Sequence, residues 1–189
     1  PINGFTANNG DGSVNYNWSN NNTTIGLGAS GSGSLPAFTA TNTNSSPISG
    51  TVTVTPTYIY DTLSCPGNPH NFVITVNPSG LANQASDMTV CDDALTTVNF
   101  GTTLTGGVTT YSWSNNNTAT NLPATGSGNI SFTANNATTA PITSVVTVTP
   151  TFTASSVACS GPTMDFDINV NPSGQVNQIA NQQFCHGQT

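Results

Sequence analysis

The sequence predicts an all-β protein built from tandem β-sandwich units, and three observations carry that prediction. The chain repeats itself. Pro47-Ile-Ser-Gly-Thr-Val-Thr-Val-Thr-Pro-Thr57 returns 94 residues later as Pro141-Ile-Thr-Ser-Val-Val-Thr-Val-Thr-Pro-Thr151, and Val76-Asn-Pro-Ser-Gly80 returns as Val170-Asn-Pro-Ser-Gly174. Within each copy the apolar residues alternate with a period of two, the pattern of a half-buried strand. Thr and Val are abundant, and the Gly, Asn, Ser and Pro content is that of many short turns. No stretch carries apolar residues at helical spacing.

The repeat sets the boundaries. Residues 1–80 read as a sandwich lacking its first strand, 81–174 as a complete sandwich, and 175–189 as the first strand of a third. Val176-Asn-Gln178 and Cys185 repeat Ala82-Asn-Gln84 and Cys91. Gly31-Ser-Gly33 recurs at an offset of 95 and Phe38-Thr-Ala40 at 94, so one residue is absorbed near Pro36-Ala37. A unit of this length fits one small β-domain.

In the complete copy, Met88 and Val90 open the first strand, and a turn follows at Asp92-Asp93-Ala94. Val98 and Phe100 mark the second strand, Tyr111 and Trp113 the third. A turn at Gly126-Ser-Gly128 precedes Ile130, Phe132 and Ala134. Val146, Val148, Pro150 and Phe152 alternate along a long strand, and Phe166, Ile168 and Val170 along the last. Six or seven short strands in about 95 residues, with Trp on the third, predict an immunoglobulin-like sandwich. Tyr16 and Trp18, repeated as Tyr111 and Trp113, form its core signature: two large rings on one face of a strand. The Ser-Asn-Asn-Asn-Thr that follows each pair reads as a surface turn.

Composition excludes whole classes of function. The 189 residues hold no Lys or Arg, seven Asp and two His, for a net charge of −7. Without cations there is no phosphate neutralisation, so nucleic acid is excluded as a partner. A P-loop Lys, an Arg clamp, a Lys Schiff base and attraction to anionic lipid are excluded equally. No apolar run reaches transmembrane length and no signal-peptide pattern opens the chain, which reads as a window cut from an exported protein. A surface chain lacking Lys and Arg also offers no cleavage site to trypsin-like proteases.

Four cysteines, at 65, 91, 159 and 185, suggest disulfides in an extracellular chain. Two schemes are self-consistent with the repeat. Cys91–Cys159 would close a loop inside the complete unit. Alternatively Cys65–Cys91 and Cys159–Cys185 would staple neighbouring units. The first is preferred, because small domains use disulfides to support a modest core. No clustered Cys or His suggests a metal.

The repeat also acts as its own control for chemistry. None of the seven Asp is duplicated, and His70 and His186 stand opposite Met164 and Asp92, so no catalytic group, metal cage or cofactor site is expected. No G-x-S-x-G nucleophile elbow occurs. Tyr58 and Phe152 fall on a buried face, whereas the unduplicated Tyr60 is a candidate exposed ring. Asn17-Trp-Ser19 and Asn116-Asn-Thr118 match the glycosylation triplet at a frequency this composition produces by chance.

Taken together, Val-Cys near the unit start, Tyr-x-Trp-Ser-Asn-Asn-Asn, Gly-x-Gly…Phe-Thr-Ala-x-Asn, Val-Thr-Val-Thr-Pro-Thr and Cys-x-Gly…Ile-x-Val-Asn-Pro resemble the PKD-like repeats of giant Bacteroidota cell-surface adhesins. The resemblance spans essentially the whole chain. It implies type IX secretion, display on the outer membrane, and a stalk or filament of tandem sandwiches serving adhesion and, in the gliding members, motility. Asp61-Thr62-Leu63 is similar to the short O-glycosylation sequence of that phylum, making Thr62 a candidate acceptor. The expected partners are neighbouring repeats, a surface polysaccharide or a substratum, with a filament or bundle as the assembly. The competing expectation is a carbohydrate-binding module array of a secreted polysaccharide-degrading protein.

Overall fold

The structure, a computed structural model, describes residues 4–8 and 10–187. In the first repeat, β1 (Ser13–Asn20), β2 (Ser30–Ser32), β3 (Ile48–Tyr60), β4 (Leu63–Pro66) and β5 (His70–Val76) form one antiparallel sheet. Its order is β2-β1-β3-β4, and β5 follows β4 along the same edge of β3.

The second repeat contains β6 (Met88–Cys91), β7 (Leu95–Val98), β8 (Val108–Asn115), β9 (Thr125–Ser127), β10 (Ile130–Thr133), β11 (Ile142–Ala154), β12 (Val157–Ser160) and β13 (Met164–Asn171). Its larger sheet runs β6-β13-β11-β8-β9, with β12 also on β11, while β7 and β10 make a two-stranded sheet. Among the described residues only the β6–β13 pairing is parallel. Val98, Ile130 and Phe132 of the small sheet share one core with Trp113, Val146, Val148, Phe166, Ile168 and Val170 of the large one. The repeat is thus an all-β, two-layered unit whose inward residues are those the period of two selects.

Strand β11 shows why this sequence folds so. Val146, Val148 and Phe152 are fully buried, and the Thr residues between them are half-buried. Pro150 interrupts the run without breaking it. It sits where β13 ends opposite Val148 and β12 begins opposite Thr151, so no ladder donor is missed on that side. The Pro150 carbonyl instead accepts from Gly161 N, as the Pro56 carbonyl accepts from Gly67 N in the first repeat.

Three details depart from expectation. Of the turn expected at Gly126-Ser-Gly128, Gly126 and Ser127 belong to edge strand β9 and only Gly128 lies in the turn. In the first repeat, residues 35–40 form no counterpart of β10. Pro36, inside the one-residue insertion, lacks the N–H that a ladder needs, and Leu35 and Phe38 cover the core from an irregular segment. The strand expected in 175–189 does not form over 175–187, and 188–189 lie outside the described residues. Its counterpart β6 exists through pairing with β13, which arrives only at the end of the same repeat.

The two repeats meet end to end. The β3 end at Ile48 and the β5 end at Val76 face the β11 end at Ala154. Asn77 Nδ2 donates to the Ala154 and Val157 carbonyls at 3.0 and 3.2 Å, Gly80 N to Cys159 O at 3.0 Å, and Thr105 N to Ser45 O at 2.7 Å. Backbones touch here: a Cβ on Gly161 would lie 1.6 Å from Gly80 O, and one on Gly80 2.3 Å from Pro150 O.

Candidate functional site

Trp18 and Trp113 are buried at the ends of β1 and β8, and Tyr16 and Tyr111 are half-buried beside them. Phe5 tilts against Tyr16 and Phe100 against Tyr111, each pair at 5.4 Å between ring centroids. Each indole lies flat against an edge-strand glycine. A Cβ on Gly126 would fall 2.1 Å from Trp113, and one on Gly31 2.4 Å from Trp18. The rings and glycines therefore form one packing unit, with no exposed aromatic platform.

The Asn run after each Trp turns the chain at the surface, and its first residue is buried and braces the turn from inside. Asn20 and Asn115 are buried at 7% and 8% exposure. Asn115 Nδ2 donates to the Asn117 and Leu122 carbonyls, and its Oδ1 accepts from Asn117 N. Asn20 makes the same bonds to Asn22 and Leu27. Asn21 and Asn116 accept from Thr51 N and Val145 N on the long strand. Asn22 and Asn117 cap the short 3-10 turns Thr23–Ile25 and Thr118–Thr120 and donate to Ser49 O and Thr143 O. Asn42 and Asn136 form another duplicated staple, joining the start of the long strand to Val76 O and Val170 O. The signal was in the sequence: these Asn are identical in both copies, which a solvated turn does not require.

Several Asp residues also serve the fold. Asp11, Asp61 and Asp93 adopt left-handed backbone conformations, which Asp tolerates in turns. Asp87 accepts from Asp167 N. Asp92 accepts from Ser173 Oγ and from Asn136 N, and these bonds, the Ser173 hydroxyl foremost, hold its carboxyl below the usual carboxylate range. Burial raises the Tyr111 phenol. Among the described residues, no group of three or more His, Cys, Asp or Glu converges as metal ligands would, and no helix is long and apolar enough to cross a membrane. Thr62 is exposed in the β3–β4 turn, open to modification.

Both disulfide schemes need correction. Cys91 lies opposite Asn171, just past the Ile142 end of β11, whereas Cys159 lies opposite Phe152. At about 3.3 Å per residue the two are separated by ~35 Å of strand, against the ~7 Å limit between bridged Cα atoms. Cys65 lies opposite Tyr58, at the end of β3 remote from the junction with the second repeat. That rules out Cys65–Cys91 by a comparable margin. Cys65, Cys91 and Cys159 are unbridged in this structure, so Cys159–Cys185 is not formed either. Equal sequence spacing concealed that the cysteines occupy opposite ends of each unit.

An open cleft lies at the head of the first repeat. Tyr16, Val54, Pro56, Tyr58, His70 and Phe72 line most of its roughly 420 Å³. Tyr60, 56% exposed, lies beside it with Asp11 and Leu63. In the second repeat the corresponding Phe152 is fully buried and Met164 nearly so. The lead-in segment covers that position: Ala82 and Ala85 pack on the core, and Ala85 N contacts Met164 Sδ at 3.2 Å.

No protein-family model matches the chain, and no curated protein matches it either.

Proposed function

We propose that this chain is a stalk segment of a large secreted surface adhesin or filament. Its repeats would be immunoglobulin-like, PKD-like sandwiches stacked end to end on the outside of the cell. The observation that carries the proposal is the junction, where a linker present in both copies, Asn-Pro-Ser-Gly, seats against the head of the next repeat through direct backbone contact. Such a joint transmits direction from one unit to the next, so length grows with copy number. The strand order, with β6 parallel to β13 at a sheet edge and β7–β10 opposite, supports the immunoglobulin-like assignment. The invested residues, aromatic and Asn alike, hold units together, and what they build is a spacer. Export by the type IX route, attachment at the outer membrane and a role in gliding belong to this reading through the sequence resemblance. Antibodies against this chain, applied to intact cells of the producing organism, should label material projecting from the surface and reduce attachment. Label confined to the cell interior would refute the proposal.

A second reading has one observation in its favour. Tyr60 exposes its ring next to Asp11 and Tyr58, an arrangement suited to stacking a sugar with a carboxylate in reach. Glycan-array binding that disappears in Tyr60→Ala would favour a carbohydrate-binding module array.

A further inference from the structure

The threading of the second repeat sets how it meets tension along the chain. The chain enters it at the Phe152 end of β11, where Gly80 N donates to Cys159 O and a Cβ on Gly80 would lie 2.3 Å from Pro150 O. It leaves at the opposite end, where Val170 of β13 stands across from Ile142. Between these points β6 and β13 lie side by side and both run toward the Ile142 end, Met88 to Cys91 paired with Ile168 to Asn171. A pull on the residues before 81 therefore draws β6 toward one end of the sheet. A pull on the residues after 174 draws β13 toward the other. The two strands are loaded along their axes in opposite directions, so the evenly spaced bonds of the parallel pair share the load and must fail together. Bonds peeled from one end fail one at a time.

Side chains extend this seam beyond the paired residues. Ahead of the first pair, Gln84 Nε2 donates to Asp165 O at 3.1 Å and the Asp87 carboxylate accepts from Asp167 N at 2.9 Å. Past the last pair, Asp92 N donates to Asn171 O at 2.9 Å and Ser173 Oγ to the Asp92 carboxylate. Bonds thus join residues 84–92 to 165–173. The far end of β6 is pinned as well: Asp92 Oδ1 accepts from Asn136 N, and Asp93 N donates to Ala134 O, in the segment that follows β10. Met88 and Val90 pack on the core from the inner side. Among the described residues β6 pairs with β13 alone, so this seam is the ladder through which tension entering at residue 81 reaches the sheet.

We propose that the seam between residues 84–92 and 165–173 is a shear clamp that keeps the second repeat folded when the chain is pulled along its length. Gln84, Asp87 and Asp92 are its positioning residues: each adds a bond to the seam outside the four paired residues of β6, and none of them is needed to fill the core. The clamp gives a role to acidic side chains that have no chemistry of their own to perform. For its use on the cell the inference rests on the stalk reading, since a stalk that holds a surface carries tension from unit to unit. The mechanical property itself belongs to the fold.

Single-molecule force spectroscopy of the full chain tests it. Held by its two ends, the chain should release the second repeat in one step, recognised by an extension of about 300 Å at ~3.6 Å per residue. Held instead at the exposed residue 93 and at the C-terminal end, the same seam is peeled from its Cys91 end and should open at a several-fold lower force. Gln84→Ala combined with Asp87→Ala removes two bonds between exposed groups and should shorten the lifetime of the end-held repeat under constant force by about tenfold. Thr151→Ala, which removes an exposed hydroxyl pair between β11 and β12 away from the seam, should leave that lifetime unchanged. Equal opening forces in the two pulling geometries would overturn the proposal. So would a Gln84/Asp87 variant that lasts as long as the unmodified chain, or a Thr151→Ala variant shortened as much. A weak seam in an elongated chain would remove the clamp and leave the stalk reading standing, whereas a strong seam in a compact chain would do the reverse.

Discussion

Asn115 shows how much of this fold rests on single polar side chains. Replacing it with Ala leaves the Leu122 carbonyl and the Asn117 amide without this partner, while the Asn117 carbonyl keeps the Thr120 and Ser144 hydroxyls, and each buried orphan costs roughly 1–3 kcal/mol. Asn115→Ala should therefore lower the urea-unfolding free energy by about 2 kcal/mol or more, while Asn135→Ala, at an exposed position, should change it by less than about 0.5 kcal/mol. The copies also differ in a compensated way. Thr120 and Ser144 share a buried hydrogen bond of 2.7 Å in the second repeat, and the first repeat places Ile25 and Gly50 there. A Cβ on Gly50 would lie 2.7 Å from Ile25 Cδ1. Gly50→Ser alone should cost about 1–3 kcal/mol through overpacking. Pairing it with Ile25→Thr should recover much of that loss, a coupling that a double-mutant cycle measures. For Asp92 the folded pKa lies below the unfolded one, so its stabilisation is fully present above about pH 4 and disappears as pH falls through the folded value. Asp92→Asn should flatten that part of the acid limb in unfolding measured against pH. At this scale the Tyr and Trp pairs were legible in the sequence, because period and duplication agree. The bracing role of Asn20 and Asn115 was not legible, because Asn-Asn-Asn has turn composition and composition does not say which amide faces inward.

The long strands were the most legible elements, since 13 residues of alternation in β3 and β11 admit no other reading. Shorter ones were hidden. β9 is three residues and is held by a glycine's approach to an indole; β12 exists only because a two-residue turn folds it back on β11. That turn places Ser155 and Ser156 at φ 48° and 63°, a conformation Asn-Gly adopts with less strain. Ser155→Asn with Ser156→Gly should raise stability by about 1 kcal/mol, read as a higher denaturant midpoint at constant slope. The loss of a β10 counterpart from the first repeat was foreshadowed by Pro36 and the shift in offset. The cysteine pairing was not legible, because equal spacing says nothing about which end of a sheet a residue occupies.

At the scale of the molecule, the repeat boundaries were visible as duplicated Asn-Pro-Ser-Gly segments, but the tightness of the joint was not. It depends on Gly80, Gly161 and Gly106, the last of which would bring a Cβ within 2.9 Å of Pro47. These are contacts between residues far apart in sequence, and no local pattern reports them. Gly161→Val should unseat the joint while leaving both cores intact, giving unchanged strand signal in circular dichroism but a broader distribution of inter-repeat angles. The most direct test of the account is small-angle scattering of the unmodified chain. Two repeats in line, each as long as a 13-residue strand, predict a maximum dimension of about 80 Å or more at ~3.3 Å per residue. The radius of gyration should then lie well above the ~16 Å of a compact protein of this length. A compact particle near that value would contradict the end-to-end arrangement on which the stalk depends.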